Sequence, residues 1–367
     1  MTKDDVYKRL AAHLQALSLG YPDKEELFGL LSRMFSPQEA ELVLYLPSRV
    51  GPFELCTAEE IARTSGRGLE EVSAILKALV RKGVLFTGLT AQGNPGFAFL
   101  QLGHGFPQAF FWKGAGEQAR QMVSLVTKYL KAPDLEHVYG RTPTKPFRYI
   151  PVGASLEPGR QEVLAYDTVN RIIEQADLIA VAHCPCRVMA DLLDRRKCDH
   201  PLEVCLKLDE LAEYIIEQDL GREISKSEAL DLVKECEARG LVHLTDNTQT
   251  DVKSICNCCS CCCWSLSILK RGRVQRDVLM AIYYLRETHV ETCVGCGTCV
   301  ERCPLGALTM EGEHPKVNLE VCIGCGVCVP TCPTGAAWLK SKGPGAPVAG
   351  FKALYHRILD EQQKMDT

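Results

Sequence analysis

Apolar residues recur at helical spacing through the first third of the chain. Leu10, Leu14 and Leu17 share one face and Gly20-Tyr21-Pro22 interrupts it, so residues 1–34 read as two helices. Ser36-Pro37-Gln38-Glu39 is a capping box with proline at the first helical position, and Thr57-Ala58-Glu59-Glu60 opens a second short helix that ends near Gly66. Val72, Ile75, Leu76 and Leu79 predict a longer helix over about 69–82, stopped by Gly83. Val84-Leu85-Phe86 and Phe97-Ala98-Phe99-Leu100, on either side of Gln92-Gly93-Asn94, predict a hairpin. Beyond it, Phe106, Phe110, Phe111 and Trp112 are expected to bury against a neighbouring domain, and a helix follows over 115–131. The proline-rich stretch from Gly140 to Pro158 reads as a linker. A helix over 161–176 leads into Leu178-Ile179-Ala180-Val181-Ala182, short and apolar enough for a buried strand. Ser225-Lys226-Ser227-Glu228 is another capping box, opening a helix to about Arg239, and Leu241-Val242-His243-Leu244 reads as a strand. From Ala349, Phe351, Leu354, Tyr355 and Ile358 mark an amphipathic tail helix that should dock on the body or on a partner.

Over residues 25–102 the order helix, short helix, longer helix, hairpin resembles the winged helix-turn-helix domains of bacterial regulators. The resemblance implies a recognition helix that begins Gly68-Leu69-Glu70-Glu71. Two carboxylates where the helix would meet phosphates argue against DNA as its partner, although Lys77, Arg81 and Lys82 follow on the same helix.

Composition changes the picture through one residue type. With 367 residues, 46% hydrophobic and 24% charged at a net charge of −4, the chain is an ordinary globular one, long enough for several cores. Its polar start lacks the apolar run of a signal peptide, and no stretch has the roughly 18 apolar residues of a spanning helix. A cytoplasmic protein without membrane insertion is expected. The twenty cysteines stand out: all but Cys56 and Cys236 fall in tight groups between Cys184 and Cys332. Adjacent and closely spaced cysteines reach disulfide geometry with each other poorly, so the groups point to metal ligation. Cys56 and Cys236, each alone, read as buried small hydrophobes.

Cys293-x2-Cys296-x2-Cys299-x3-Cys303-Pro304 is repeated as Cys322-x2-Cys325-x2-Cys328-x3-Cys332-Pro333, with glycines 295, 297, 324 and 326 in matched places. Glycine lets a loop wrap a metal cluster closely, and the freed amides can donate to sulfur. Residues 288–340 thereby resemble the bacterial two-cluster ferredoxins. The resemblance implies a (βαβ)2 fold with two 4Fe-4S clusters, the fourth cysteine of each run ligating the other cluster. Cys293, Cys296, Cys299 and Cys332 would then hold one cluster, and Cys322, Cys325, Cys328 and Cys303 the other.

The central cysteines follow no familiar spacing. Cys184, Cys186, Cys198 and Cys205, flanked by His183 and His200, precede a run of Cys256, Cys258, Cys259, Cys261, Cys262 and Cys263. Either the ten pool across both segments to bind one or two further iron–sulfur clusters, or the first four hold a structural zinc and the second run is a labile metal-handling site. The basic stretch Lys270-Arg271-Gly272-Arg273 with Arg276 is either a solvated helix end or a source of positive potential near a cluster.

The expected whole is an α+β multidomain chain: a winged-helix-like domain over 1–102, a connecting segment over 103–160, a mixed α/β cysteine-rich domain over 161–287, a ferredoxin domain over 288–340 and a tail helix over 341–367. As a whole it resembles multi-cluster ferredoxin-family proteins of anaerobes. That implies an electron-transfer component of an oxidoreductase with redox-protein partners, rather than a stand-alone enzyme. A redox-sensing regulator acting through the winged-helix domain, and an oxidoreductase with a catalytic central cluster, are the alternatives.

Overall fold

The computed structural model describes residues 3–130, 138–156, 168–343 and 345–366. The chain forms two compact units, one of Met1–Thr144, Tyr214–Gly221 and Tyr355–Thr367, the other of Lys145–Glu213 and Arg222–Leu354.

The first unit opens with α1 (Lys3–Gln15), α2 (Glu25–Met34) and α3 (Pro37–Val43), then β1 (Cys56–Thr57), α4 (Ala58–Ser65), α5 (Leu69–Arg81), β2 (Leu85–Leu89) and β3 (Pro95–Phe99). Short strands β4 (Gln101–Leu102) and β5 (Gly105–Phe106) and helix α6 (Glu117–Tyr129) complete the run. Both early capping boxes form: Ser36 and Thr57 each accept the amide three residues on, and Glu39 and Glu60 reach back to the cap amides. β1, β3 and β2 make an antiparallel sheet in that order, with Leu85 opposite Phe99 and Leu89 opposite Pro95. The aromatics expected to face a neighbouring domain bury inside this unit instead. Phe106 stacks on Tyr21 at 4.1 Å between ring centroids and meets Phe110 and Tyr129 edge-on.

In the second unit, β6 (Phe147–Ile150), α7 (Val169–Gln175), β7 (Ile179–His183), α8 (Pro185–Leu192), β8 (Glu203–Leu208), the first residues of α9 (Asp209–Glu217), whose remainder from Tyr214 belongs to the first unit, β9 (Arg222–Glu223) and α10 (Lys226–Ala238) come first. β10 (Val242–Asp246), β11 (Ser254–Cys258), α11 (Trp264–Lys270), α12 (Arg276–Leu279) and β12 (Met280–Ala281) follow. The strands form one sheet in the order β12-β6-β10-β11-β8-β7-β9. The expected linker thus contains a strand, β6, whose four residues are all buried. Its flanking prolines read as linker because they sit just outside the paired residues, where no ladder amide is needed. The expected helix over 161–176 is described only from Val169; its first turns, the boundary at 160/161 and the end of the expected linker lie outside the described residues.

Strand alternation gives this sheet two different faces. Ile150, Ile179, Val181, Leu206, Leu208 and Ile255 point to one side, where they pack with Ile172 and Ile173 of α7 and Ala229 and Val233 of α10. Cys205, Cys256 and Cys258 alternate with these and share the opposite face. Register confirms the grouping: Ala182 lies opposite Cys205, Leu244 opposite Cys256 and Val242 opposite Cys258. Tyr149, opposite Leu244, is on the same face.

The remaining elements are β13 (Tyr284–Thr288), α13 (Thr298–Arg302), β14 (Leu308–Glu311), β15 (His314–Val317), β16 (Ala337–Ser341) and α14 (Phe351–Asp366). β13 pairs antiparallel with β16, and β14 with β15. The halves β13-α13-β14 and β15-turns-β16 repeat one another, with turns over 327–331 where the first half has its helix. In α14, Phe351, Leu354, Tyr355 and Ile358 are buried, as the tail's periodicity predicts. No helix among the described residues is long and apolar enough to cross a membrane.

Candidate metal centres

The eight C-terminal cysteines surround two cavities. Cys303, Cys322, Cys325 and Cys328 line one, and Cys293, Cys296, Cys299 and Cys332 line the other. Each cavity therefore takes three sulfurs from one loop and the fourth from the other run. The loops need glycine at two places in particular. A Cβ on Gly324 (φ +65) would lie 2.0 Å from the Tyr284 carbonyl oxygen, and one on Gly295 (φ +67) would lie 2.5 Å from that of Glu313.

Arg286, on β13, lines both cavities and is 3% exposed. Its Nε is buried without a hydrogen-bond partner, and its charge acts on Cys299 in one quartet and Cys328 in the other. The Ala307 amide donates to Cys303 Sγ at 3.2 Å. Four sulfurs around each cavity, an amide aimed at one of them and a buried guanidinium with one free N–H suit an anionic tetrathiolate cluster.

The two quartets differ in depth. Cys322, Cys325 and Cys328 are buried, whereas Cys296 is exposed and Cys293 and Cys332 are half-buried. Burial pushes the Cys325 thiol well up and Cys328 up to about 12, the latter against the pull of Arg286. Cys296 is lowered by the Thr298 hydroxyl and amide. In the outer quartet Cys296 and Cys332 are lowered while the buried Cys299 is raised, so the exposed sulfurs are the ones whose thiolate form the protein favours.

The ten central cysteines divide, but not by segment. Six form a chain of sulfur neighbours: Cys184 beside Cys186, then Cys263, Cys258, Cys256 and Cys205. Cys186 lies in the first turn of α8 and Cys263 is the N-cap of α11, so two helix starts converge on them. Cys263 is lowered by hydrogen bonds from Cys186 and Cys258. The other four, Cys198, Cys259, Cys261 and Cys262, have all their sulfurs within 4.8 Å of one another. Of Cys184, Cys186, Cys198 and Cys205, read together as one possible zinc site, Cys198 is drawn to the second cysteine run instead. Cys198 sits on a loop after α8, away from the sheet face that holds Cys205. Neither His183 nor His200 is in the four-sulfur group.

Several residues at these centres carry no motif. Arg187 is fully buried, donating from Nη1 to the Pro201 carbonyl at 2.6 Å and from Nη2 to that of Asn257 at 2.9 Å, with Cys184, Cys258 and Cys259 around it. Lys207 is buried on the thiol face; burial lowers its pKa, but Cys205 and Cys256 outweigh that and raise it. Cys236, read as a lone core residue, packs beside Cys259 in the same apolar cluster as Cys184, Cys198 and Cys262. Cys56 is half-buried, with burial and the neighbouring Glu60 raising it to about 12.

β6 and the residues after it separate the six-sulfur group from the inner ferredoxin cavity. The Tyr149 hydroxyl lies 3.4 Å from Ser265 Oγ, and burial first, then the charges of Cys263, Cys258 and Cys325, push its pKa up. Val152 N–H donates to the Cys325 carbonyl at 3.0 Å. Of the basic stretch, Lys270, Arg271 and Arg273 are exposed, while Arg276 donates from Nη1 to the Cys322 carbonyl at 2.7 Å.

These arrangements define an iron–sulfur protein with an electron-transfer role. More particularly, residues 292–336 match the 4Fe-4S dicluster domain family, a span that includes all eight cysteines of the repeated motif. No curated protein and no solved structure matches the chain.

Proposed function

We propose that the chain relays single electrons as a subunit or partner of an oxidoreductase, through three centres in a fixed order. The six-sulfur group is the inner centre, the Cys303/Cys322/Cys325/Cys328 cavity the middle one and the Cys293/Cys296/Cys299/Cys332 cavity the outer port. The observation that carries this reading is that β6 shares its sheet face with Cys256 and Cys258 through Tyr149, while Val152 just after it donates to the Cys325 carbonyl of the middle centre at 3.0 Å. When bound, 4Fe-4S clusters supply one-electron chemistry over a wide range of potentials. The protein's part is to hold the centres close, keep water from the inner two and present the third. Val290 and Val294, 50% and 67% exposed beside Cys293, give the outer port an apolar rim suited to a transient redox partner.

The first unit supports the relay as a docking domain. Its α4, α5 and β2–β3 follow the order expected of a winged helix, but Glu71 at the start of α5 already pairs with Arg67 at 3.6 Å, which leaves little positive charge there for phosphates. Anaerobic iron and sulfide analysis with potentiometric EPR tests the reading. About twelve irons per chain, with a third paramagnetic centre coupled to one of the other two, is expected. About eight irons would remove the inner centre and with it the relay order. Salt-sensitive, sequence-selective DNA binding would make the protein a redox-sensing regulator instead.

A further inference from the structure

We propose that Cys198, Cys259, Cys261 and Cys262 hold a single zinc ion, separate from the clusters of the relay and independent of whether that relay operates. Distance is the first argument. Cys198 Sγ and Cys262 Sγ are 3.8 Å apart, as are Cys261 Sγ and Cys262 Sγ, and no pair in the set exceeds 4.8 Å. Four sulfurs bound to one tetrahedral zinc at about 2.3 Å stand about 3.8 Å from one another. A cubane binds its thiolates through four different irons and must spread them wider. The same structure provides the contrast: among the described residues this is the one group of three or more cysteine, histidine or acidic residues so tightly drawn, and the two ferredoxin quartets are not.

Local structure explains how adjacent cysteines manage this. β11 ends at Cys258, and residues 260–262 form a turn before α11, so Cys259, Cys261 and Cys262 escape the strand alternation that would point neighbours apart. The fourth sulfur comes from the loop after α8, which Arg196 fixes by donating from Nε to the Cys198 carbonyl at 2.8 Å while Nη1 pairs with Asp191 at 2.8 Å. Val204, Leu232, Leu241 and Cys236 pack behind the group. A closed, sulfur-only, tetrahedral site suits a structural ion that pins the loop to the cysteine turn.

The test uses the full chain purified anaerobically. In 4Fe-4S clusters iron and acid-labile sulfide are equal, so the expected result is about one zinc per chain over and above a matched iron and sulfide content. Cys261→Ser and Cys262→Ser should each abolish the zinc and leave sulfide and the cluster EPR signals unchanged. Because either variant can fold poorly, X-ray absorption at the zinc edge of the unaltered protein is the second measurement. It should show four sulfurs at about 2.3 Å and no neighbouring metal. Overturning results are metal equal to sulfide in the unaltered protein, an excess made up by iron, zinc retained in both variants, sulfide falling along with the metal, or nitrogen or oxygen in the zinc shell.

Discussion

Arg286 is one cation shared by two cavities, and its effect should be visible in both. A buried positive charge stabilises the reduced, more negative form of a cluster. Arg286→Ala is expected to lower both C-terminal potentials by roughly 50–100 mV, and Arg286→Lys to keep most of the difference. EPR-monitored redox titration reads both values at once; a shift confined to one cluster would refute the shared role. The eight cysteines around Arg286 were legible in the sequence because cluster geometry fixes their spacing. Arg286, Arg187 and Lys207 were not. A single cation within a strand has the same local pattern as a solvated one, and only the fold turns it towards sulfur. Cys261 and Cys262 were read as metal ligands, but not that they come together with Cys198 and Cys259: adjacency suggests divergence unless a turn brings the side chains together.

Among the elements, the starts of α3 and α4 were readable to the residue because their caps are chemical signals. Glu39 is the fullest case. Its Oε2 accepts the Ser36 amide at 2.7 Å and its Oε1 accepts Lys82 Nζ at 2.5 Å. Burial pushes its pKa up, but Lys82 and Ser36 outweigh that, and the net direction is down. A lowered folded-state pKa means stability that is present above the ordinary carboxylate range and lost as pH falls through the folded value. Glu39→Gln should therefore cost the first unit about 1 kcal/mol at neutral pH, about 2–4 °C by calorimetry, with the difference from the unaltered protein vanishing in acid. An equal loss at all pH values would exclude the charged pair as its source. Strands β6, β8 and β11 were less legible. β6 is framed by Pro146 and Pro151, and β8 and β11 mix cysteine, lysine and asparagine into their pattern. Lys207 faces the thiols, while Arg148 and Asn257 interrupt the apolar side, so neither face shows the clean alternation by which strands are usually read.

At the scale of the molecule, the cysteines lie almost entirely in one unit: Cys56 is the exception in the first. Metal binding should accordingly stabilise the second unit alone. Anaerobic stripping with a chelator and an oxidant should lower the calorimetric transition of the second unit and leave that of the first in place; parallel loss of both would contradict this. The crowding of cysteines was plain in the sequence, but not the placement of residues 145–156 with the second unit, since that depends on a strand pairing between Tyr149 and Leu244. The sheet these strands build has consequences for how such a protein changes over time. Leu206 and Ile255 hold the fold together from one side, while Cys205 and Cys256, one position away, hold none of that apolar packing. Exchanges on the sulfur side change an inorganic centre, and the stability it lends the second unit, while leaving the Leu206 and Ile255 packing in place. The two sides of the same strands thus divide the work: one carries the apolar packing with the helices, the other carries the sulfurs and whatever stability their metal adds.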